Sequence, residues 1–344
     1  MGERMDKNIK IAVIGAGAIG GIAAAFLSRA GYDVQAVCKY DEITSKTNEG
    51  IKIKGVRGEL VVPVPAVREI EELDGKKDVI IVATKAYDMP EACEKALPFA
   101  DNDTLFVSMQ NGISTDAMAA VVGRGRTVGC VVGFGSTMAA PAELDMTSEG
   151  TFIIGMEQSD EDRLAMLKEV LESVVPTTIS SNILSDLYSK LIVNSCITTL
   201  GVICGLKLGD MMKVKKIRNI FLKIMEEALE VANKMELYVP PYAGKLDYYK
   251  LFEKDGFISR LKRHLTIRVV GLKYKNLKSS SLQSLKRGRP TEIDYFNGYI
   301  SKKGDEAGVD TPINDAVTQM VKEIEANERK ITTDNFNDAV FNGI

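Results

Sequence analysis

The sequence predicts two domains, a parallel, doubly wound α/β sheet followed by a mostly α-helical domain. Three observations carry this. Short apolar, β-rich runs alternate with helical ones over the first half of the 344 residues. A glycine-rich turn joins the first strand to the first helix. After about residue 180 strand signals nearly vanish and long helical periodicities take over. Alternation of that kind is the βαβ pattern of a parallel sheet.

Residues 9–14 are an apolar run and lead into Gly15-Ala16-Gly17-Ala18-Ile19-Gly20, then into an Ala-rich helical stretch. Strand, G-x-G-x-x-G and helix, in that order, form the context of the Rossmann-type dinucleotide fingerprint. Gly15 permits the tight turn, Gly17 lets the backbone approach a pyrophosphate, and Gly20 lets the helix lie close to the strand. The helix N-terminus then offers unpaired N–H groups and a partial positive charge to phosphates. A structural βα turn without ligand has the same local form. The second strand, 33–37, ends in Cys38-Lys39-Tyr40. An NAD site ordinarily places Asp or Glu here for the ribose 2′-OH. Lys39 instead suits the 2′-phosphate of NADP. Asp41, slightly late, is what an NAD reading would rest on, and an ordinary solvated lysine is the plain alternative for Lys39.

Further strands are expected at 78–83, 104–108 and 128–133, with 151–154 as an outer strand and helices at 20–30 and 89–97. Leu164, Leu167, Leu171 and Val174 recur at helical spacing, so 162–174 closes the first domain as an amphipathic helix. Beyond it, 187–204, 213–235, 258–269, 291–307 and 313–327 read as helices. In the second of these, Ile217, Ile220, Phe221, Ile224 and Val231 share one face. The expected division is 1–181 for an NADP-binding domain and 182–344 for a helical substrate domain.

Charged residues make up 26% of the chain and the formal net charge is −3, so no nucleic-acid partner is expected. Residues 1–7 are polar and lack the apolar core of a signal peptide. The apolar stretch 191–206 contains Asn194, Ser195, Thr198 and Thr199, too short and polar to span a bilayer, and no membrane partner is expected. Five scattered cysteines without a CxxC, and a single histidine, His264, give no usual zinc spacing. A reduced, cytoplasmic protein without a metal follows, and its proton donor is more naturally Lys, Asp or Glu.

Lys190 and Asn194 stand four apart, which puts both on one helix face, and Thr198 continues that line among Leu191, Ile192, Val193 and Ile197. A partly desolvated lysine has a lowered pKa and gives up a proton more readily. A snorkelling lysine with its ammonium in water fits the same pattern. Asn111 and Lys85 follow the 104–108 and 78–83 strands at their carboxyl ends, where ligands sit in open α/β sheets. For Asn111 a simple Asn-Gly turn is the alternative, for Lys85 a solvated loop lysine. Glu292 belongs to an acidic helix opening, and Ser280 to a Ser-rich segment that also reads as a polar loop.

Together these residues resemble the ketopantoate reductase (2-dehydropantoate 2-reductase) family. The likeness runs through GAGAIG, Ala83-Thr84-Lys85-Ala86-Tyr87, Gln110-Asn111-Gly112, Lys190-Leu191-Ile192-Val193-Asn194, Ser279-Ser280-Ser281-Leu282-Gln283, Gly288-Arg289-Pro290-Thr291-Glu292-Ile293-Asp294 and Gly308-Val309-Asp310-Thr311-Pro312. The resemblance implies NADPH-dependent reduction of ketopantoate to pantoate, on the way to pantothenate. It implies Lys190 as the general acid, Asn194, Ser280 and Asn111 as contacts to substrate oxygens, and Glu292 beside Lys190 and the bound ligands. It also implies Lys39 and Lys85 as basic cofactor-binding positions, with Asn111 and Glu292 near the cofactor too. Thr198 stands where the family often has a second substrate-binding Asn, Tyr188 replaces a common Trp, Ser284 replaces a common Asp, and 245–278 is longer and more basic than usual. These departures lie on the substrate side. They leave the reaction type intact and keep open a related reductase of another 2-oxo acid. From another class comes a non-catalytic dinucleotide sensor, against which Lys190, Asn194 and Glu292 together argue. A homodimer through the helical domain is the expected assembly.

Overall fold

A computed structural model describes residues 8–158, 160–254 and 256–344. The polar residues 1–7 lie outside the described residues. The chain forms two compact units. The first holds the described residues up to Gln110 together with Ser114–Leu187, and the second holds Asn111–Ile113 together with Tyr188–Ile344. The division thus falls inside a helix, a little past the expected 181, and hands three residues of the first half to the second unit.

The strands of the first unit are β1 (Lys10–Ile14), β2 (Asp33–Val37), β3 (Ile51–Gly55), β4 (Leu60–Val62), β5 (Ala66–Val67) and β6 (Lys77–Val82). They continue with β7 (Ala100–Ser108), β8 (Thr127–Val132), β9 (Gly135–Ala140), β10 (Glu143–Ser148), β11 (Phe152–Gly155) and β12 (Thr177–Ile179). Among the described residues the main sheet has eight strands in the order β12-β11-β8-β7-β6-β1-β2-β5. Its centre, β2-β1-β6-β7-β8, is parallel throughout, and only the β8–β11 pair is antiparallel. Ile11 and Val13 point into one apolar cluster while Ala12 and Ile14 point into another, and Val79/Ile81 and Ile80/Val82 split the same way. Both faces are therefore covered, which is why these strands read as unbroken apolar runs rather than alternating ones. Each fully buried Ile or Val there is worth roughly 1.5–3 kcal/mol.

The helices of this unit are α1 (Gly20–Arg29), α2 (Asp41–Glu49), α3 (Met89–Ala96), α4 (Thr115–Val122) and α5 (Glu161–Glu172). A second, four-stranded sheet, β4-β3-β10-β9, was not expected from the sequence. Its β9 strand, Gly-Ser-Thr-Met-Ala-Ala, has no fully buried residue, so it carries almost no apolar signal.

The second unit is helical, as expected. It begins within α6 (Ile183–Cys204) and continues through α7 (Leu208–Met211), α8 (Lys215–Lys234), α9 (Tyr248–Phe252) and α10 (Phe257–Lys273). It ends with α11 (Ser280–Lys286), α12 (Asn297–Ala307) and α13 (Pro312–Glu325). α6 is long and apolar enough to cross a membrane, but 89% of its apolar window is buried inside the protein, so it serves as a core helix. The expected face of α8 is buried: Ile217, Ile220, Phe221, Ile224 and Val231 are all at most 1% exposed. One expectation is corrected. Residues 291–307 are not a single helix, because a short 3₁₀ turn, Ile293–Tyr295, is followed by Phe296 at φ −111°, ψ −102°, which breaks the run before α12. Glu292 therefore precedes a 3₁₀ turn and does not open the α-helix that the sequence suggested.

Candidate active site

In the first unit the glycine turn is fixed by backbone hydrogen bonds. The amides of Gly15 and Ala16 donate to the Val37 carbonyl at 3.0 and 3.3 Å, and Ala83 N–H donates to the Ile14 carbonyl at 2.8 Å. The turn thus sits over the carboxyl ends of β2, β1 and β6, three neighbouring parallel strands. Gly15 has φ +93°, and Gly20 has no room for a side chain: a Cβ there would come 2.3 Å from the Gly15 carbonyl oxygen and 2.9 Å from Ala83 Cβ. Both are positions that only glycine fills without strain. Lys39 is exposed two residues beyond β2, and Lys85 precedes the short 3₁₀ turn Ala86–Asp88 beyond β6. Gly15–Gly20, Lys39 and Lys85 therefore share one edge of the sheet.

The end of β7 is also latched. Ser108 Oγ donates to Gln110 Oε1 at 2.6 Å, Ser114 Oγ lies 3.3 Å from the same oxygen, and Gln110 Nε2 donates to the Val82 carbonyl at 2.8 Å. This buried amide clamp stands immediately before Asn111. Sequence reasoning read Gln110 only as part of a motif, and its signal was a polar side chain at the end of an apolar strand.

In the second unit α6 carries Lys190, Asn194 and Thr198. Lys190 and Asn194 are half-buried, and Thr198 is 6% exposed. The turn bearing Lys190 is braced on both sides. Tyr188 Oη donates to the Ala228 carbonyl at 2.9 Å, Ser189 Oγ donates to the Pro240 carbonyl at 2.7 Å, and Tyr248 Oη donates to the Ser189 carbonyl at 2.6 Å. Burial pushes both phenols far above their usual range, so they remain donors.

Ser280 is tied to the same helix. Ser279 caps α11 through the Leu282 amide and donates its hydroxyl to the Thr198 carbonyl at 2.6 Å. Ser280, the next residue, is half-exposed, whereas Ser281 is buried at 4%. Glu292 is 4% exposed. It sits before the Ile293–Tyr295 turn, which is held through Asn297: Thr199 Oγ1 donates to Asn297 Oδ1 at 2.5 Å, and Asn297 Nδ2 donates to Asn314 Oδ1 at 2.9 Å. Asn314 in turn donates to the buried Glu227 carboxylate, which also accepts the Ile313 and Asn314 amides at the start of α13. Asn111–Ile113 rests on that turn, since a Cβ at Gly112 would lie 2.4 Å from the Tyr295 carbonyl oxygen. Of the polar residues chosen from the sequence, Lys190, Asn194 and Thr198 thus lie on one helix, and Ser280 and Glu292 stand next to segments bonded to it. His264 lies elsewhere, on α10, accepting from Arg218 Nε at 3.3 Å.

Residues 11–158 match the family described as Ketopantoate reductase PanE/ApbA, and residues 182–325 match Ketopantoate reductase PanE/ApbA C terminal. The chain belongs to the ketopantoate reductase family. Membership makes it an oxidoreductase of ketopantoate reductase type, with a nicotinamide dinucleotide as its cofactor class. The 2-dehydropantoate 2-reductase of Aquifex aeolicus (strain VF5) is 28% identical over 319 residues, 91% of this chain and 96% of that one. Among solved structures, the PanE/ApbA family ketopantoate reductase from Ralstonia eutropha JMP134 gives a TM-score of 0.79 at 24% identity, covering 94% of this chain and all of the other. D-mandelate dehydrogenase, in a ternary structure with NADH and anilino(oxo)acetate, gives 0.78 at 22% identity, covering 93% and 99%. Both structural likenesses establish the fold.

The first unit of this ketopantoate reductase family member fits a dinucleotide. A Cβ on Gly17 would meet nothing within 4 Å, so the space over the turn is open. The Ile19 position supplies no side-chain cap to α1, and no acidic residue occupies its first turn. The buried Thr84 hydroxyl, next to the Gly15 turn, has no hydrogen-bond partner among the described residues. An uncapped helix start, an open glycine and an orphaned hydroxyl are what a phosphate-bearing ligand would satisfy. Thr84 itself escaped the sequence reading, which had only its place in the Ala83–Tyr87 motif.

Proposed function

We propose that the protein catalyses NADPH-dependent reduction of ketopantoate to pantoate, as a cytoplasmic enzyme. The observation that carries this reading is the line Lys190, Asn194 and Thr198 on the largely apolar, mostly buried α6, in a chain whose two halves both match this family. Gly15, Ala16, Gly17, Ala18, Ile19 and Gly20 would hold the pyrophosphate, and Lys39 the 2′-phosphate, with Lys85, Asn111 and Glu292 completing the cofactor site. When bound, the reduced dinucleotide supplies the hydride for C2 of the 2-oxo acid. Lys190 hydrogen-bonds the keto oxygen, stabilises the negative charge that develops on it, and hands over its proton. Asn194, Ser280 and Asn111 orient the substrate oxygens, and Thr198 lines the pocket. Glu292 holds the Lys190 ammonium in place.

A second reading, reduction of a different 2-oxo acid, rests on Thr198. A threonine is shorter than the family's usual Asn and offers one hydroxyl in place of an amide, which leaves a roomier, less polar wall. Steady-state rates with ketopantoate and a panel of other 2-oxo acids, each with NADPH and with NADH, test both. Ketopantoate with NADPH is expected to be turned over. Equal use of the two dinucleotides would reject the role given to Lys39. A better competitor would select the second reading, and no turnover of any 2-oxo acid would reject both.

A further inference from the structure

The clearest feature that the enzymatic reading leaves unused is α10. Its inner side is well accounted for. Arg263, 9% exposed, donates to the Leu251 and Lys254 carbonyls at 2.9 and 2.8 Å and lies over the Phe252 ring at 5.0 Å. Ile267 is buried at 1%, and Gly271 lies so close to Met212 that a Cβ would come within 2.5 Å of it. That anchoring turns the opposite side outward. Ile258, Leu261, Leu265, Val269 and Leu272, at three- and four-residue steps, form one stripe and are 55–70% exposed. Phe257, at the start of the helix, is 83% exposed. Soluble proteins scatter exposed apolar residues singly, and a continuous stripe marks a contact surface.

Charge decides what contacts it. Lys262 and Lys273 flank the stripe on one side and Arg268 on the other, all exposed, with Lys275 and Lys278 beyond the helix end. Residues 256–291 contain ten Lys and Arg and not one Asp or Glu, in a chain of net charge −3. A two-fold contact between copies pairs a patch with itself. Here it would set this cationic helix against its own like charges. A convex apolar ridge bordered by cations is the pattern of a helix lying in a membrane interface, where lysine and arginine stems snorkel to anionic headgroups. We propose that the α10 face docks the protein reversibly on an anionic lipid bilayer. The expectation of no membrane partner was drawn from the lack of a spanning segment and from the whole-chain charge, neither of which registers an interfacial helix. The proposal is independent of the substrate.

Flotation of the full chain with phosphatidylglycerol vesicles, against phosphatidylcholine vesicles, tests it. Binding to the anionic vesicles alone is expected, falling steeply as salt is raised. Each basic residue near such a surface contributes on the order of 1 kcal/mol, so Lys262→Glu with Arg268→Glu should weaken binding at least about tenfold. Leu261→Asp with Leu265→Asp should do likewise through the apolar term. All four side chains face solvent, so both double variants should keep the parent melting temperature. Three results would overturn the proposal. One is no preference for anionic vesicles at low salt, and another is binding that neither charge nor apolar variants reduce. The third is light scattering that shows a dimer which Leu261→Asp with Leu265→Asp splits, because a second copy then covers the stripe.

Discussion

Lys190 and His264 show how differently two titratable side chains are used. If Lys190 donates the proton, Lys190→Ala should lower kcat by about 10²–10⁴-fold, the usual worth of general acid catalysis. Lys190→Arg should rescue poorly, because a guanidinium does not readily give up a proton. A folded Lys190→Ala protein that reduces substrate at the parent rate would remove Lys190 from the mechanism. His264 is the chain's one histidine. Its pKa is held below 6.5 by burial first and by the neighbouring Arg218 and Lys215 charges second. The fold therefore favours the neutral ring, which accepts from Arg218. That preference stabilises the protein above about pH 6.5 and is lost as pH falls through the depressed folded value. Melting temperature should fall over this window in the parent, and fall less in His264→Gln. Parallel curves for the two proteins would show that the ring contributes nothing.

The βα turn is the element with the least tolerance. Alanine at Gly20 would gain about 1 kcal/mol of helix propensity. Its Cβ, however, would press on the Gly15 carbonyl and on Ala83, and overpacking of that kind typically costs about 1–3 kcal/mol. Gly20→Ala should therefore lower the melting temperature and weaken dinucleotide binding together, and a variant as stable and as tight-binding as the parent would contradict the close approach. This turn was legible in the sequence because it needs three glycines at fixed steps between two unmistakable elements. The parallel strands were legible because burial on both faces leaves an unbroken apolar run. β9 was not, because a half-buried strand of mostly small residues with a single methionine has no clear periodic signal. The break at Phe296 was not either, since its cause is long-range: Asn297 is held by Thr199 on α6 and by Asn314 on α13. The Lys190–Asn194–Thr198 line could be read from helical spacing alone. The Ser279 cap that ties Ser280 to α6 depends on a contact 81 residues away in sequence.

At the scale of the whole chain, most of the proposed cofactor groups and the proposed substrate groups belong to different compact units. The glycine turn, Lys39 and Lys85 lie in the first, and Lys190, Asn194, Thr198, Ser280 and Glu292 in the second. This separation makes cofactor binding and catalysis separable by mutation. A ligand that binds only the native state stabilises it by RT ln(1 + [L]/Kd), about 2.7 kcal/mol at a hundredfold excess over Kd. NADPH at that excess should therefore raise the melting temperature measurably. Loss of a charge-assisted phosphate contact costs about 1.5–3 kcal/mol, or roughly 10–150-fold in Kd. At the same NADPH concentration, Lys39→Ala should thus keep about half of the shift or less, while its shift with NADH stays as in the parent. Lys190→Ala should keep the full NADPH shift even though its turnover collapses. If Lys39→Ala retains the parent shift, the 2′-phosphate is not read at the end of β2. If Lys190→Ala loses the shift along with its activity, Lys190 supports the fold or the cofactor, and its loss of rate says nothing about proton transfer.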